Sequence, residues 1–159
     1  MTTVTRSASD VVQAIGDAAD AALTEDLADV EVLDAVDPVQ AYAVKSFTIG
    51  GAWDPDEQAF VNDAVVAVTM TEVGAGRRRV ETTTVECIAY SGDNTNDFPG
   101  HRTTVGRIVA AVGAQLRTVS EVAGRSARAR IAAEQWAQGS DGKGTLVMAL
   151  LTIEVVRLL

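Results

Sequence analysis

Arginine is the residue type through which this chain is best equipped to act on another molecule. Arg77, Arg78 and Arg79 are adjacent, and Arg125, Arg128 and Arg130 follow one another closely. A guanidinium holds carboxylate or phosphate through paired, planar hydrogen bonds, so such clusters point to charged partners or charged self-contacts. Groups suited to covalent or acid–base chemistry are sparser. His101 is the single histidine, with neither a partner cysteine nor an obvious nucleophile, and reads as a structural or solvated imidazole. Cys87 is the single cysteine, in a Val/Thr-rich run where a thiol is usually a small buried hydrophobe. It permits no intrachain disulfide and no cysteine metal cluster.

Asp93-Asn94-Thr95-Asn96-Asp97 has the acid density of a calcium loop. An EF-hand loop needs glycine at its sixth position and glutamate at its twelfth, and counting from Asp93 these are Phe98 and Thr104. A turn with a helix N-cap explains the same residues better. Asp54, Asp56 and Glu57 read as a solvated acidic loop rather than a divalent-ion site. Gly74-Ala75-Gly76 is not a phosphate loop, which needs Gly-Lys-Ser/Thr opening a helix, whereas a strand follows here. GxSxG, HExxH and CxxC are absent. The sequence points away from an enzyme, with no catalytic residue, cofactor or metal implied.

The elements that must position the arginines are mostly strands. Ser7 or Ser9 is a candidate N-cap for an amphipathic helix over 9–24, with Val11, Ile15, Ala18 and Ala22 at helical spacing. A short strand near 30–35 ends before Pro38, a second covers 42–49, and 52–60 reads as an acidic loop. Residues 61–73 and 78–90 are long Val/Thr-rich arms joined by Gly74-Ala75-Gly76, which predicts a β-hairpin with the three arginines at its tip. After the turn-rich 91–100 a second helix is expected over 101–119, then a strand over 126–136 and a polar turn from Gly139 to Gly144. The final run 145–158 is apolar on both faces and belongs in the middle of a sheet. This order predicts a single α+β domain over 1–159: an antiparallel sheet including a long β-hairpin, with two helices packed on one face.

Composition adds constraints. The 159 residues are 47% hydrophobic but only 4% aromatic, so the core must be built from Val, Ala, Leu and Ile. Such side chains bury little area each, so stability leans on extensive sheet packing or on a subunit interface. The polar start predicts no signal peptide, and the longest apolar run, 146–151, is far too short to span a bilayer. Residues 1–72 carry 14 acids against two bases (−12), and residues 73–159 carry 8 acids against 11 bases (+3), which together give the net charge of −9. Separated in space, these halves would associate head to tail, and such contacts close into rings when the rotation permits. If the halves interleave, the charges mix on one solvated surface. Both arrangements fit the sequence.

The element order resembles that of tail terminator and head-to-tail joining proteins of long-tailed bacteriophages. The residues that carry the resemblance are Val32-Leu33-Asp34 leading to Asp37-Pro38, Val85-Glu86-Cys87-Ile88 in the hairpin, and the turn-rich loop before Arg102. Ile108-Val109-Ala110-Ala111-Val112 in the second helix, the Gln135/Gly144 turn region and the apolar last strand complete it. The resemblance implies a structural virion protein, a homohexameric ring that caps the tail tube and joins it to the head connector. The partners are then the chain itself, a tail tube protein and head–tail connector proteins, in the tail or neck of a particle whose parts are made in the host cytoplasm. DNA passes through the ring without specific binding, and no membrane is involved. Another head–tail connector, head-completion or tail tube protein fits the same pattern; so, more distantly, does a small-ligand-binding α+β module. The arginine clusters are the candidate interface in the ring reading. Because acids outnumber bases 22 to 13, the long-range field repels phosphates. Duplex DNA is therefore expected to stay unshifted in a mobility-shift assay at about 0.15 M salt, and tight binding there would contradict the charge argument.

Overall fold

The computed structural model describes residues 6–33, 45–50, 52–54, 59–61, 66–73, 78–140 and 144–158, with side chains for 9–33, 45–50, 79–140 and 144–158. In chain order the elements are α1 (Arg6–Ala22), a 3-10 turn over Glu25–Leu27, β1 (Glu31–Leu33), β2 (Lys45–Ile49), β3 (Ala52–Asp54) and β4 (Ala59–Val61). Then come β5 (Val66–Val73), β6 (Arg78–Asp93), α2 (Phe98–Leu116), β7 (Glu121–Val122), β8 (Arg125–Ser140) and β9 (Thr145–Leu158).

Seven of these strands form one sheet around β6. One edge of β6 pairs antiparallel with β9, from Val80↔Leu158 to Asp93↔Thr145. The other edge is shared. β5 takes residues 78–85 and β2 takes residues 87–91, both antiparallel. β1 adds to β2 in parallel, β8 adds to β9, and β7 adds to the start of β8. The β7–β8 connection is the two-residue turn Ala123-Gly124, with φ of 52° and 78°, as the tightest hairpins require.

Both helices lie on one face of the sheet, as an α+β domain of this kind requires. Val11, Ile15 and Ala19 of α1 and Val105, Ile108, Val112 and Leu116 of α2 are buried against it. Below them are Phe47 and Ile49, Val85, Cys87 and Ala89, and Leu151, Ile153 and Val155. These are alternate residues of each strand, as the two-residue strand period demands. Gly16 sits mid-helix where a Cβ would stand 3.5 Å from Ile49, so α1 runs close over β2. A smaller cluster, Ile88, Tyr90, Leu146 and Met148, is buried on the opposite face. β9, apolar on both faces, is flanked by β6 and β8 as its sequence requires.

Several expected boundaries move. Ser7 and Ser9 lie inside α1, which runs from Arg6, and so neither stands at an N-cap position. The acidic segment 52–60 is not wholly loop: β3 and β4 pair antiparallel, with Trp53 in register with Phe60. Val61 closes β4 rather than opening the long hairpin, whose first arm starts at Val66. β6 continues to Asp93, and α2 starts at Phe98 because Asp97 caps it, its side chain accepting from the Gly100 amide at 3.0 Å. β8 extends past 136 to Ser140, so Gly139 lies in a strand. Residues 34, 35 and 42–44 and the connection 74–77 lie outside the described residues.

One polar pair is set into the sheet. Glu81 and Arg157 are cross-strand partners, 0% and 4% exposed. Arg157 donates through Nε at 2.9 Å and through Nη2 at 2.5 Å, both to Glu81 Oε1. Oε2 has no hydrogen-bond partner among the described residues. Removing one member of a buried pair strands the other charge, so Arg157→Met is expected to lower unfolding stability by about 3–5 kcal/mol. Combining it with Glu81→Leu removes both charges and should recover most of that loss. Urea unfolding of the two variants checks this: a double variant no more stable than Arg157→Met would contradict it.

Candidate functional site

β6 divides the sheet by halves of the chain. β1, β2 and β5 come from residues up to Val73 and occupy one side, and β9, β8 and β7 come from the second half and occupy the other. The sheet strands of the two halves therefore do not interleave. The acidic half of the sequence and the basic half form opposite edges of one sheet.

The basic edge is β8. Arg125, Arg128 and Arg130 are all exposed on it. Arg117, at the end of α2, joins Arg128 and Arg130 around an open groove of about 860 Å³, with Ala127 and Ala129 also lining it. Arg130 Nε donates to Glu154 Oε1 at 3.2 Å, so one of these cations is partly neutralised. β7 covers only the first residues of β8, ending with the Ala127 amide donating to the Ser120 carbonyl at 2.9 Å. Alternate residues of an antiparallel strand aim both backbone groups at the same edge, so Ala129 and Ile131 also point theirs outward. No described strand meets them. Past Ile131 the register slips by one residue, Ile131 facing Ile153 and Ala133 facing Thr152. From Ala132 to Trp136 every residue is exposed. Trp136 is 40% exposed, its ring near Gly106 of α2, and its Nε1 donates to Glu134 at 3.2 Å.

The opposite side is acidic. Glu25, Asp26, Asp29 and Glu31 are exposed around the α1–β1 corner. Asp26 pairs with Arg107 of α2 at 2.9 Å, and Asp29 pairs with Lys45 at the same distance. The hydrogen bond from Lys45 lowers the Asp29 pKa. Glu25 has a φ of 56°, a left-handed conformation unusual for its residue type. Glu31 makes no ion pair among the described residues.

The hairpin arginines are placed in part. Arg77 and the side chain of Arg78 lie outside the described residues; Arg78 begins β6 and Arg79 is exposed. Register puts Arg78 and Arg79 near the end of β9 that also faces Arg128. The two arginine clusters thus share one end of the sheet on strands two spacings, about 10 Å, apart. Arg117 was missed from sequence because its approach to β8 depends on how α2 crosses the sheet.

His101 is a structural histidine, buried rather than solvated, held by two side-chain partners. Ser91 Oγ lies 2.8 Å from its Nδ1, and Asp93 Oδ1 lies 2.9 Å from its Nε2. An ionised carboxylate only accepts, so Nε2–H donates to Asp93, and in the neutral ring Nδ1 accepts from Ser91. The three residue types are those of a hydrolytic triad, but Ser91 is 1% exposed and offers a substrate no approach. The chain of bonds instead fastens the start of α2 to the end of β6. The Thr95 hydroxyl (2.6 Å) and amide (2.9 Å) also donate to Asp93 Oδ1. Of the acids suggestive of a calcium loop, Asp93 serves Thr95 and His101, and Asp97 caps α2. Cys87 is buried, and that burial pushes its pKa up to about 12. The side chains of Asp54, Asp56 and Glu57 lie outside the described residues.

No protein-family model matches the sequence, and no curated protein matches it either. Among solved structures, a chain of the virion of a native gene transfer agent particle shares the fold. The TM-score is 0.51 at 14% sequence identity, over 92% of this chain and 91% of that one.

The Asp93 contacts carry a pH dependence. The Thr95 hydroxyl, then the Thr95 amide and His101, lower its pKa to about 2. A lowered carboxylate stabilises the fold above its unfolded pKa of about 3.9 and loses that contribution as pH falls through its folded value. The stability difference between the native chain and Asp93→Asn should therefore shrink as pH falls from about 4 towards 2. Denaturant unfolding at several pH values checks this, and a difference unchanged at pH 2 would contradict it.

Proposed function

We propose that this chain is a structural subunit of a phage-like particle, and specifically a tail terminator whose copies close into a ring. The observation that carries the reading is the polarised sheet, acidic along one edge and basic along the other. A subunit with unlike, complementary edges can associate heterologously, and heterologous contacts between identical chains close into rings when the rotation permits and run on as filaments when it does not. The fold shared with a gene transfer agent virion chain over nine-tenths of the length supports a virion setting. The resemblance to tail terminators supplies the finer terms: a homohexamer between the tail tube protein and the head–tail connector proteins, in the tail or neck of the virion. The role is structural and non-enzymatic.

In such a ring DNA slides through the bore without specific binding. Acids facing the bore would repel it within about 8 Å at physiological salt. Asp26 is a candidate for that lining, together with the sequence positions Asp54, Asp56 and Asp63. The hairpin of β5 and β6 packs partly against a neighbouring subunit in this reading.

Electron microscopy of the purified chain is expected to show closed rings of six. Replacing Arg77, Arg78 and Arg79 together by glutamate should weaken assembly in sedimentation while leaving circular dichroism unchanged. A wild-type chain that remains monomeric would overturn the ring reading; unchanged assembly of the triple variant would remove the hairpin from the contact.

A further inference from the structure

We infer that the joint between copies is edge to edge: the open edge of β8 in one copy receives the β1 edge of the next, so the sheet runs on from subunit to subunit. This rests on the ring-forming reading and adds the surfaces that make the ring. The geometry of β8 is the first ground. Beyond Ala127 its outward backbone groups, those of Ala129 and Ile131, meet no described strand, and its residues from Ala132 to Trp136 are exposed. Open edges invite another strand; monomeric proteins blunt them with proline, lysine and other charges, or bulges. From Arg125 to Ser140 there is neither proline nor lysine. The bulge comes only after Ile131, and the charges before it are arginines, which an acidic strand would pair. Trp136, a large exposed aromatic, stands at the far end of the same edge, where an interface would bury it.

Charge selects the occupant. Arg125 and Arg128 form no ion pair among the described residues. Although Glu121 on β7 and Glu134 further along β8 are also exposed, the only charges on the open stretch before Ile131 are arginines, so it takes an acidic strand. β1 pairs with β2 on one side only among the described residues, and it begins with the exposed Glu31 beside Glu25 and Asp29. The same molecule thus carries an acidic edge and the basic edge it would fit. A second copy satisfies both at once, whereas an unrelated partner on β8 would leave β1 open.

The test uses the full chain with two reversals on exposed positions, Arg128→Glu and Glu31→Arg. Each alone sets like charges across every joint, and like-charge contacts are strongly unfavourable, so association should weaken at least about tenfold in sedimentation velocity. Circular dichroism should stay native. An equal mixture of the two singles restores opposite charges at both kinds of joint, provided the chains alternate. Mixed rings are therefore expected from chains that fail to assemble separately, and native mass spectrometry should show equal numbers of each. In the wild type, hydrogen exchange at the Ala129 and Ile131 amides should slow on assembly. Wild-type rings unaffected by either reversal, or singles that fail to co-assemble, would overturn the edge joint and leave the ring reading standing. A monomeric wild type would remove both.

Discussion

The register of β6 is the constraint on which the rest of the structure depends. One edge is paired with β9 from Val80 to Asp93, and the other changes partner from β5 to β2 between Val85 and Cys87. At the handover the Gly50 amide donates to the Glu86 carbonyl at 2.7 Å, and Gly50 has a φ of 83°. That left-handed turn ends β2 where β5 must take over the edge, and glycine adopts it without strain. A slip of one residue would turn Val85, Cys87 and Ala89 away from the helices and separate Glu81 from Arg157. The buried ion pair thus marks the register at one end of the strand. Ser91, Asp93 and His101 mark it at the other.

Because β6 stands between the halves of the chain, it also separates their charge. From β1 to β8 the sheet spans four strand spacings, about 19 Å, against a Debye length of about 8 Å at physiological salt. Attraction between the two edges of one molecule is therefore largely screened. A strand docked on either edge lies within one spacing of it, where screening is weak. The acidic and basic groups act more strongly between molecules in contact than across a single one. Arg107–Asp26 is an exception, made where α2 crosses back towards the α1–β1 corner.

What the sequence revealed was periodic and local. The hairpin of β5 and β6, the helix α2 and the central position of β9 all follow from alternation or helical spacing within one segment. The parts it concealed depend on residues distant in sequence. His101 meets a serine ten residues earlier because the end of β6 and the start of α2 fold together across one turn. Trp53 and Phe60 pair within a stretch whose acids look like a solvated loop. β8 outruns its expected end because Ala132 to Trp136 are exposed on both faces, so no alternation leads from Ile131 on to the half-buried Ala137, and Gly139 reads as a turn. Whether the charged halves mix or separate was equally hidden, since that requires the strand order. Arg117 reaches the arginines of β8 only through the crossing of α2 over the sheet.

The character of the β8 edge bears on which association a phage-like subunit of this kind would avoid. An open strand edge pairs most simply with its own copy, giving a closed two-fold dimer that goes no further. Two copies of β8 laid together would oppose Arg125, Arg128 and Arg130 with the same residues, and like charges facing one another across strands are destabilising. The acidic α1–β1 corner repels its own copy for the same reason. Both self-pairings are disfavoured, while the unlike pairing is favoured at every joint. Specificity of this sort comes from the repulsion built against the wrong partner as much as from attraction to the right one. A sheet with edges of one sign would lack the unlike pairing, and one with neutral edges would lack the discrimination. In the proposed ring, the separation of charge by β6 thus selects the head-to-tail joint over the dimer, and guanidinium groups add directional hydrogen bonds to carboxylates that lysines would not match.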